Sequence, residues 1–214
     1  MAPLLSTAYL PPIEYFAFLI EDEVRLEYCE HFQKQSFRSR AVILTSNGPL
    51  TLSIPVIHHS DKELISESRI KSITPWQRTH WRAIESAYGA SPYFLYYQDL
   101  LRPFYEQPYD SLFEFNTQLT KVLLKLLQTN TDIRLTEDFE PIRDKDLRTL
   151  IHPRRKSEPD YPLQYNEPYY QVFSNKFGFT PGLSVIDLIF NLGPDAIHYL
   201  QRAHDHFKSS IGIE

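Results

Sequence analysis

Between residues 41 and 56 the chain sorts its apolar positions by strand logic. Val42, Ile43 and Leu44 lead into Asn47-Gly48, and Leu50, Leu52, Ile54 and Val56 follow at every second position. Period two turns one face of a strand inward. Asn-Gly tolerates the two positive φ angles of a type I′ turn, so a β-hairpin is expected here. Pro55 sets the second strand at a sheet edge or at its own end. Val24, Leu26 and Tyr28 alternate with Arg25, Glu27 and Cys29 and predict another strand. Ahead of it, residues 3–10 predict a first strand and Ile13–Ile20 a short helix. The turn between them contains Pro11-Pro12, which removes two backbone donors and pushes Leu10 towards extended geometry.

The period then changes to that of helices. Thr74 is a candidate N-cap and Pro75 a first helical residue. Trp76, His80, Ala83, Ile84 and Ala87 form one stripe, bordered by Trp81 and Tyr88, and Gly89 closes it. Ser91-Pro92-Tyr93 opens a second helix through Leu100 and Leu101. Leu112, Phe115, Leu119, Val122 and Leu126 recur at three and four residues and predict a third, core-facing helix. Ile70–Ile73 and Ile133–Leu135 read as short strands. Near the end, Ser184 with Asp187 resembles a capping arrangement ahead of Val185–Phe190. Gly193 stops that helix, and Pro194 starts a last one with Ile197, Leu200, His204 and Phe207 on its apolar stripe.

Residues 141–168 break both periods, with five prolines and eleven charged residues. They read as a long loop, either ordered over the surface or mobile, and its length favours a lid over a functional site. The whole pattern gives an α/β protein: a small mixed sheet, a β-hairpin, and a mainly helical middle and C-terminus, in one domain over 1–214.

Composition narrows the functional classes. The chain has 214 residues, 42% of them hydrophobic, with a net charge of −5. That balance offers no large basic field for nucleic acid or an anionic membrane. No apolar run reaches the roughly 18 residues of a membrane span. Cys29 is the single cysteine and the N-terminus has no signal-peptide pattern, so a cytoplasmic protein is expected.

Few residues advertise chemistry. Glycine-rich phosphate loops and the Gly-x-Ser-x-Gly elbow are absent. His58 and His59 are adjacent, and His198, His204 and His206 lack the i, i+4 spacing of helical zinc ligands, so no metal site is expected. Nothing specifies a cofactor. The segment His31–Arg40 carries Lys34, Arg38 and Arg40 between a strand and the hairpin, and such cations hold a carboxylate or phosphate or simply face solvent. His80 lies on its helix's apolar stripe beside Trp76. It is either a hydrogen-bonded core histidine or an acid–base group in an aromatic-walled pocket.

Three blocks resemble the WbqC-like family. They are Ala8-Tyr9-Leu10-Pro11 with Tyr15-Phe16, Phe32, Lys34-x-Ser36-Phe37 and Arg40; Trp76-x-x-x-His80-Trp81 with Tyr88 and Ser91-Pro92-Tyr93-Phe94; and Phe179-x-Pro181-x-Leu183 through Asn191-x-Gly193. The opening strand–turn–helix also resembles the start of a Rossmann-like unit, in which ligands sit beyond the carboxyl end of the first strand. The family is associated with surface-polysaccharide gene clusters. The resemblance implies an acyl or aminoacyl transferase, of a glycine type, acting on an amino sugar or nucleotide sugar. In that role Lys34 and Arg40 hold the anionic part, Tyr9 and Trp76 line the substrate and His80 is the base. Asp187 orients His80 or, as we favour, caps its own helix. The chain departs from the family at Ser6, Thr7, Glu14, Tyr28 and His31, and residues 141–168 do not match the family's glycine-containing segment. These departures support the alternative of a non-catalytic binding or scaffold protein derived from such an enzyme.

Overall fold

The computed structural model describes residues 2–57, 60, 62–72 and 75–212. The expectations for His58, His59, Ile73 and Thr74 lie outside the described residues. In chain order the elements are β1 (Leu4–Ser6), α1 (Ile13–Leu19), β2 (Glu23–Glu27), β3 (Arg40–Thr45), β4 (Gly48–Ser53), β5 (Val56–Ile57), β6 (Arg69–Ile70), α2 (Trp76–Tyr88), α3 (Phe94–Leu101), α4 (Pro103–Glu106), α5 (Leu112–Leu126), β7 (Asp132–Leu135), α6 (Leu147–Leu150), α7 (Ser174–Phe177), α8 (Val185–Leu192) and α9 (Ala196–Ile211).

The α/β class is as expected, but the strands divide into three small sheets rather than one mixed sheet. β1, β2 and β7 form a parallel sheet in that order, with Leu5 opposite Leu26 and Ser6 opposite Glu27. Parallel neighbours need a crossover, and α1 supplies it between β1 and β2. Every residue of α1 is buried, and the helix packs against α8 and α9.

The hairpin β3–β4 stands as its own antiparallel pair, with Thr45 opposite Gly48. Its turn corrects the sequence reading. Only Gly48 takes a positive φ, +101°, so Asn47-Gly48 is not the central pair of a type I′ turn. The Thr45 hydroxyl instead accepts from the Asn47 N–H at 3.2 Å and donates to the Gly48 carbonyl at 2.8 Å. Leu10 is a second correction, because it adopts φ +38° instead of an extended form. The turn is fixed from outside: the Tyr9 N–H donates to the Phe37 carbonyl at 2.8 Å, and the Pro11 carbonyl accepts from Val185 N–H at 2.9 Å. Such over-determination is what holds a non-glycine residue in a sparsely populated region, at a cost of about 1–3 kcal/mol.

The helices follow their stripes. α2 buries Trp76, His80, Trp81, Ile84, Ala87 and Tyr88 with Ala83 half-buried, and α5 buries Leu112, Phe115, Leu119 and Leu126, with Leu123 buried and Val122 only half-buried. The Ser111 hydroxyl caps α5 by accepting from Glu114 N–H at 3.2 Å. Gly193 ends α8 at φ +56°, where a β-carbon would lie 2.5 Å from the Tyr93 ring. In α9 the buried face is Tyr199, Leu200, Ala203, Phe207 and Ile211, while Ile197 and His204 are only half-buried. Among the described residues no helix is long and apolar enough to cross a membrane.

Residues 141–168 are mostly irregular, as expected of a long loop, but they do not simply lie over the surface. They are tied into the core, with Leu147, Leu150, Ile151, Tyr161 and Leu163 buried. The Asp146 carboxylate caps α6 by accepting from the Arg148 N–H at 2.9 Å. The Arg148 guanidinium, 1% exposed, donates to Glu27, 0% exposed, at 2.8 Å and to Asp146 at 2.6 Å. It also donates to the carbonyls of Glu140 (2.8 Å) and Pro141 (3.3 Å). Glu27 accepts in addition from the Thr136 hydroxyl and from the Cys29 and Glu140 N–H groups. Farther on, Lys156 pairs with Glu14 at 2.9 Å and donates to the Gly182 carbonyl at 2.9 Å. Removing one partner of a buried pair leaves an uncompensated charge and costs about 3–5 kcal/mol. Arg148→Met is therefore expected to lose about 3–5 kcal/mol of unfolding free energy in urea, and Arg148→Met with Glu27→Leu to lose less. A loss below about 1 kcal/mol in the single variant would show that the pair does not anchor the segment.

Candidate functional site

Of the residues singled out from sequence, three converge. Tyr9, from the turn after β1, meets His80 and Trp76 of α2. The Tyr9 hydroxyl lies 2.9 Å from His80 Nδ1 and 3.1 Å from the Tyr105 hydroxyl. The Trp76 ring packs edge-on to His80, with centroids 5.2 Å apart. His80 is only 5% exposed. Burial pushes its pKa down to about 4, opposed by the backbone of Ser53. Burial likewise pushes the Tyr9 hydroxyl well above its ordinary range, so both groups are neutral at pH 7. This is the geometry of a hydrogen-bonded core histidine.

Lys34 and Arg40 do not join the cluster as charges. Lys34 is exposed, and Arg40 is half-buried at the start of β3. Arg40 pairs across the hairpin with Ser53, and it is the Ser53 backbone that meets His80. Asp187 has other partners than His80. Its buried carboxylate accepts from the Tyr169 hydroxyl at 2.6 Å and Gln171 Nε2 at 3.0 Å, and burial pushes its pKa up to about 6. It does not close a capping box either: the Ser184 N–H donates to the Val42 carbonyl, while the Ser184 hydroxyl alone caps α8.

A polar cluster that sequence reasoning missed lies beyond the carboxyl ends of β1 and β2. Arg38, 3% exposed, comes from the basic segment, but it is neither of the cations chosen there. Its Nε donates to Glu30 Oε1 at 2.8 Å, and its Nη2 donates to Glu30 Oε2 and to the Ser6 hydroxyl, the latter at 2.7 Å. The Ser6 hydroxyl donates to Glu30 Oε2 at 3.2 Å, and Tyr15 donates to the Ser6 carbonyl at 2.7 Å. Asn116 of α5 holds the Arg38 carbonyl at 2.8 Å. Against this cluster lies a narrow cleft of about 10 Å³, lined by Ser6, Thr7, Tyr15, Phe37, Arg38 and Arg148. It has room for about one water. Leu147 and Ile151 form its roof. The next residue, His152, is half-buried, and burial together with the nearby Arg38 and Arg154 charges pushes its pKa down.

Buried charges are costly, and they gather where a protein handles charged ligands or reactive groups. A guanidinium fork held this way suits a carboxylate or phosphate, with Glu30 occupying the fork here. Of the five positions set apart from the family pattern on sequence grounds, Ser6 belongs to this cluster and Thr7 lines the cleft. Ser6 bonds to Arg38 and Glu30, and Glu14 pairs with Lys156. Among the described residues no group of three or more His, Cys, Asp or Glu side chains could hold a metal ion.

A parallel sheet with a buried ionic cluster at its carboxyl edge, packed among helices, defines an α/β protein. The sequence pattern of the WbqC-like protein family matches residues 7–160 and 157–199, and the chain belongs to that family. It is also similar to Uncharacterized protein Rv1507c of Mycobacterium tuberculosis, with 26% identity over 223 residues covering 92% of this chain and 96% of the relative. No solved structure matches the chain.

The pKa of His80 yields a pH test. A histidine depressed from 6.5 to about 4 contributes stability that is fully present above pH 6.5 and is lost as pH falls towards 4. Asp187, raised from 3.8 to about 6, acts oppositely: its contribution is lost as pH rises through 6. The two slopes offset each other in the wild type, so the informative quantity is a difference. Relative to His80→Gln, the wild type is expected to lose about 1.4 kcal/mol per pH unit on acidification within that window. Parallel stability curves in urea would contradict a neutral, buried His80.

Proposed function

We propose that the chain is a transferase of the acyl or aminoacyl class that acts on an amino sugar or nucleotide sugar at the carboxyl edge of β1 and β2. Family membership supports the reading. The observation that carries it is the buried Arg38–Glu30–Ser6 cluster beside a roofed cleft. In this reading Arg38 holds the substrate's phosphate or carboxylate, and the ligand displaces Glu30 from the fork. Lys34 and Arg40, on the same ten-residue segment, add positive charge to its approach. The sugar amine forms the new bond to the acyl carbon, and the donor's leaving group departs with the electron pair of the bond that breaks. The released Glu30 carboxylate takes the amine's proton. His80 and Trp76 hold Tyr9, and with it the turn after β1, and so act as positioning residues.

The alternative is a binding or scaffold protein without turnover. It is favoured by one observation: Arg38, Glu30, Glu27 and Arg148 all have charged partners within the chain, and the cleft beside them is closed to anything larger than about one water.

A thermal-shift screen with nucleotides, nucleotide sugars and amino acids separates the readings. A ligand at about 100 times its Kd adds roughly 2.7 kcal/mol, which raises Tm by several degrees for a chain of this size. The expected result is a shift with a nucleotide sugar that Arg38→Lys abolishes, followed by turnover in an acyl-transfer assay. A shift without turnover favours the binding reading. No shift at millimolar ligand contradicts a nucleotide, nucleotide-sugar or amino-acid site beside Arg38.

A further inference from the structure

A cavity with a mostly apolar lining lies away from the Arg38 cluster, at the amino end of β1. It measures about 200 Å³ and is bounded by β1, the end of α1, α9 and residues 140–148. Pro3, Leu4, Phe18, Pro141 and Leu147 supply apolar surface. α6 separates it from the cleft beside Ser6, since Leu147 and Arg148 line both. A concave, mostly apolar space with a few polar groups at its mouth is the usual form of a small-molecule site.

The charges at the mouth state what kind of molecule fits. Most are already matched inside the chain. Arg25 pairs with Glu140, Arg148 with Asp146 and Glu27, and Glu21 with His204 at 2.8 Å. Lys145 donates to the Ile211 carbonyl at 2.6 Å and so meets the negative end of the α9 dipole. Lys208 is different: it is half-buried, lines the cavity, and its ammonium has no hydrogen-bond or ion-pair partner among the described residues. Asp144 is exposed at the rim, where water can solvate it. A half-buried ammonium beside an apolar floor is matched by an anion that carries an apolar body.

We propose that this cavity binds a small organic carboxylate, its apolar body against Leu4, Phe18 and Leu147 and its carboxylate paired with Lys208. Such a ligand bears on α6, whose Leu147 and Arg148 also line the cleft beside Arg38.

Hexanoate is a suitable probe for the full-length chain, with hexanol and hexylamine as controls of equal apolar length. Backbone amide NMR locates the binding. Hexanoate is expected to shift Leu4, Phe18, Leu147 and Lys208 and to bind at least 10-fold more tightly than hexanol, a ratio equivalent to about 1.4 kcal/mol. Hexylamine is expected not to bind. Lys208→Met should bring hexanoate down to the affinity of hexanol, and Lys208→Glu should abolish its binding; both changes are at a half-exposed helix position and leave the amide spectrum otherwise intact. Equal binding of hexanoate and hexanol, stronger binding of hexylamine, an unchanged affinity in Lys208→Met, shifts confined to Ser6 and Arg38, or no binding of any probe would overturn the proposal. Failure of the nucleotide-sugar screen leaves this test untouched, because the two sites share only α6.

Discussion

The buried pair between Glu27 and Arg148 determines how the rest of the molecule closes. Glu27 ends the central strand of the parallel sheet with its carboxylate pointing out of water. It accepts from a threonine hydroxyl, two backbone N–H groups and a guanidinium, and so is satisfied despite full burial. A carboxylate buried without those donors would be prohibitively expensive. Arg148 in turn fixes two carbonyls and the Asp146 carboxylate, which sets the path of residues 140–148 and places α6 against β1. The segment that covers the carboxyl edge of the sheet is thus held by the sheet's own charge.

That dependence explains what the sequence could and could not reveal. The hairpin was legible because alternation at Leu52 and Ile54 reports a buried face, although Leu50, next to the turn, is exposed. α2 and α5 were legible because their stripes keep a helical period over many residues. The type I′ reading of Asn47-Gly48 failed because a threonine hydroxyl at position 45 offers the turn a competing set of hydrogen bonds. The stripe of α9 was misjudged because Tyr199 looks half-polar, yet it is buried with its hydroxyl bonded to the Glu167 carbonyl at 2.7 Å. Residues 141–168 looked like a lid because α6 is a single turn and its anchor, Glu27, lies 121 positions away. No local pattern encodes such a contact.

The candidate site was half visible for the same reason. Tyr9, Trp76 and His80 belong to recognisable blocks, and they do meet. Their meeting makes an aromatic joint between the turn after β1 and the start of α2. The charges that matter at the carboxyl edge were hidden in plain view. Arg38 differs from Lys34 and Arg40 only in being buried, and burial is decided by Glu30, Ser6 and Asn116 from three separate parts of the chain. α6 then stands between this cluster and the apolar cavity, so the ionic anchor, the cleft and the cavity share one short helix.

Hydrogen exchange at the amides of α6 tests this account most directly. The N–H groups of Leu150 and Ile151 donate to the carbonyls of Asp146 and Leu147, both at 2.9 Å. If Arg148 and Glu27 tie α6 to the sheet, these amides exchange only through an opening nearly as costly as that of β2 itself. Exchange at the rate of an unstructured loop, while β2 stays protected, would show residues 147–151 to be a free flap and would contradict the account.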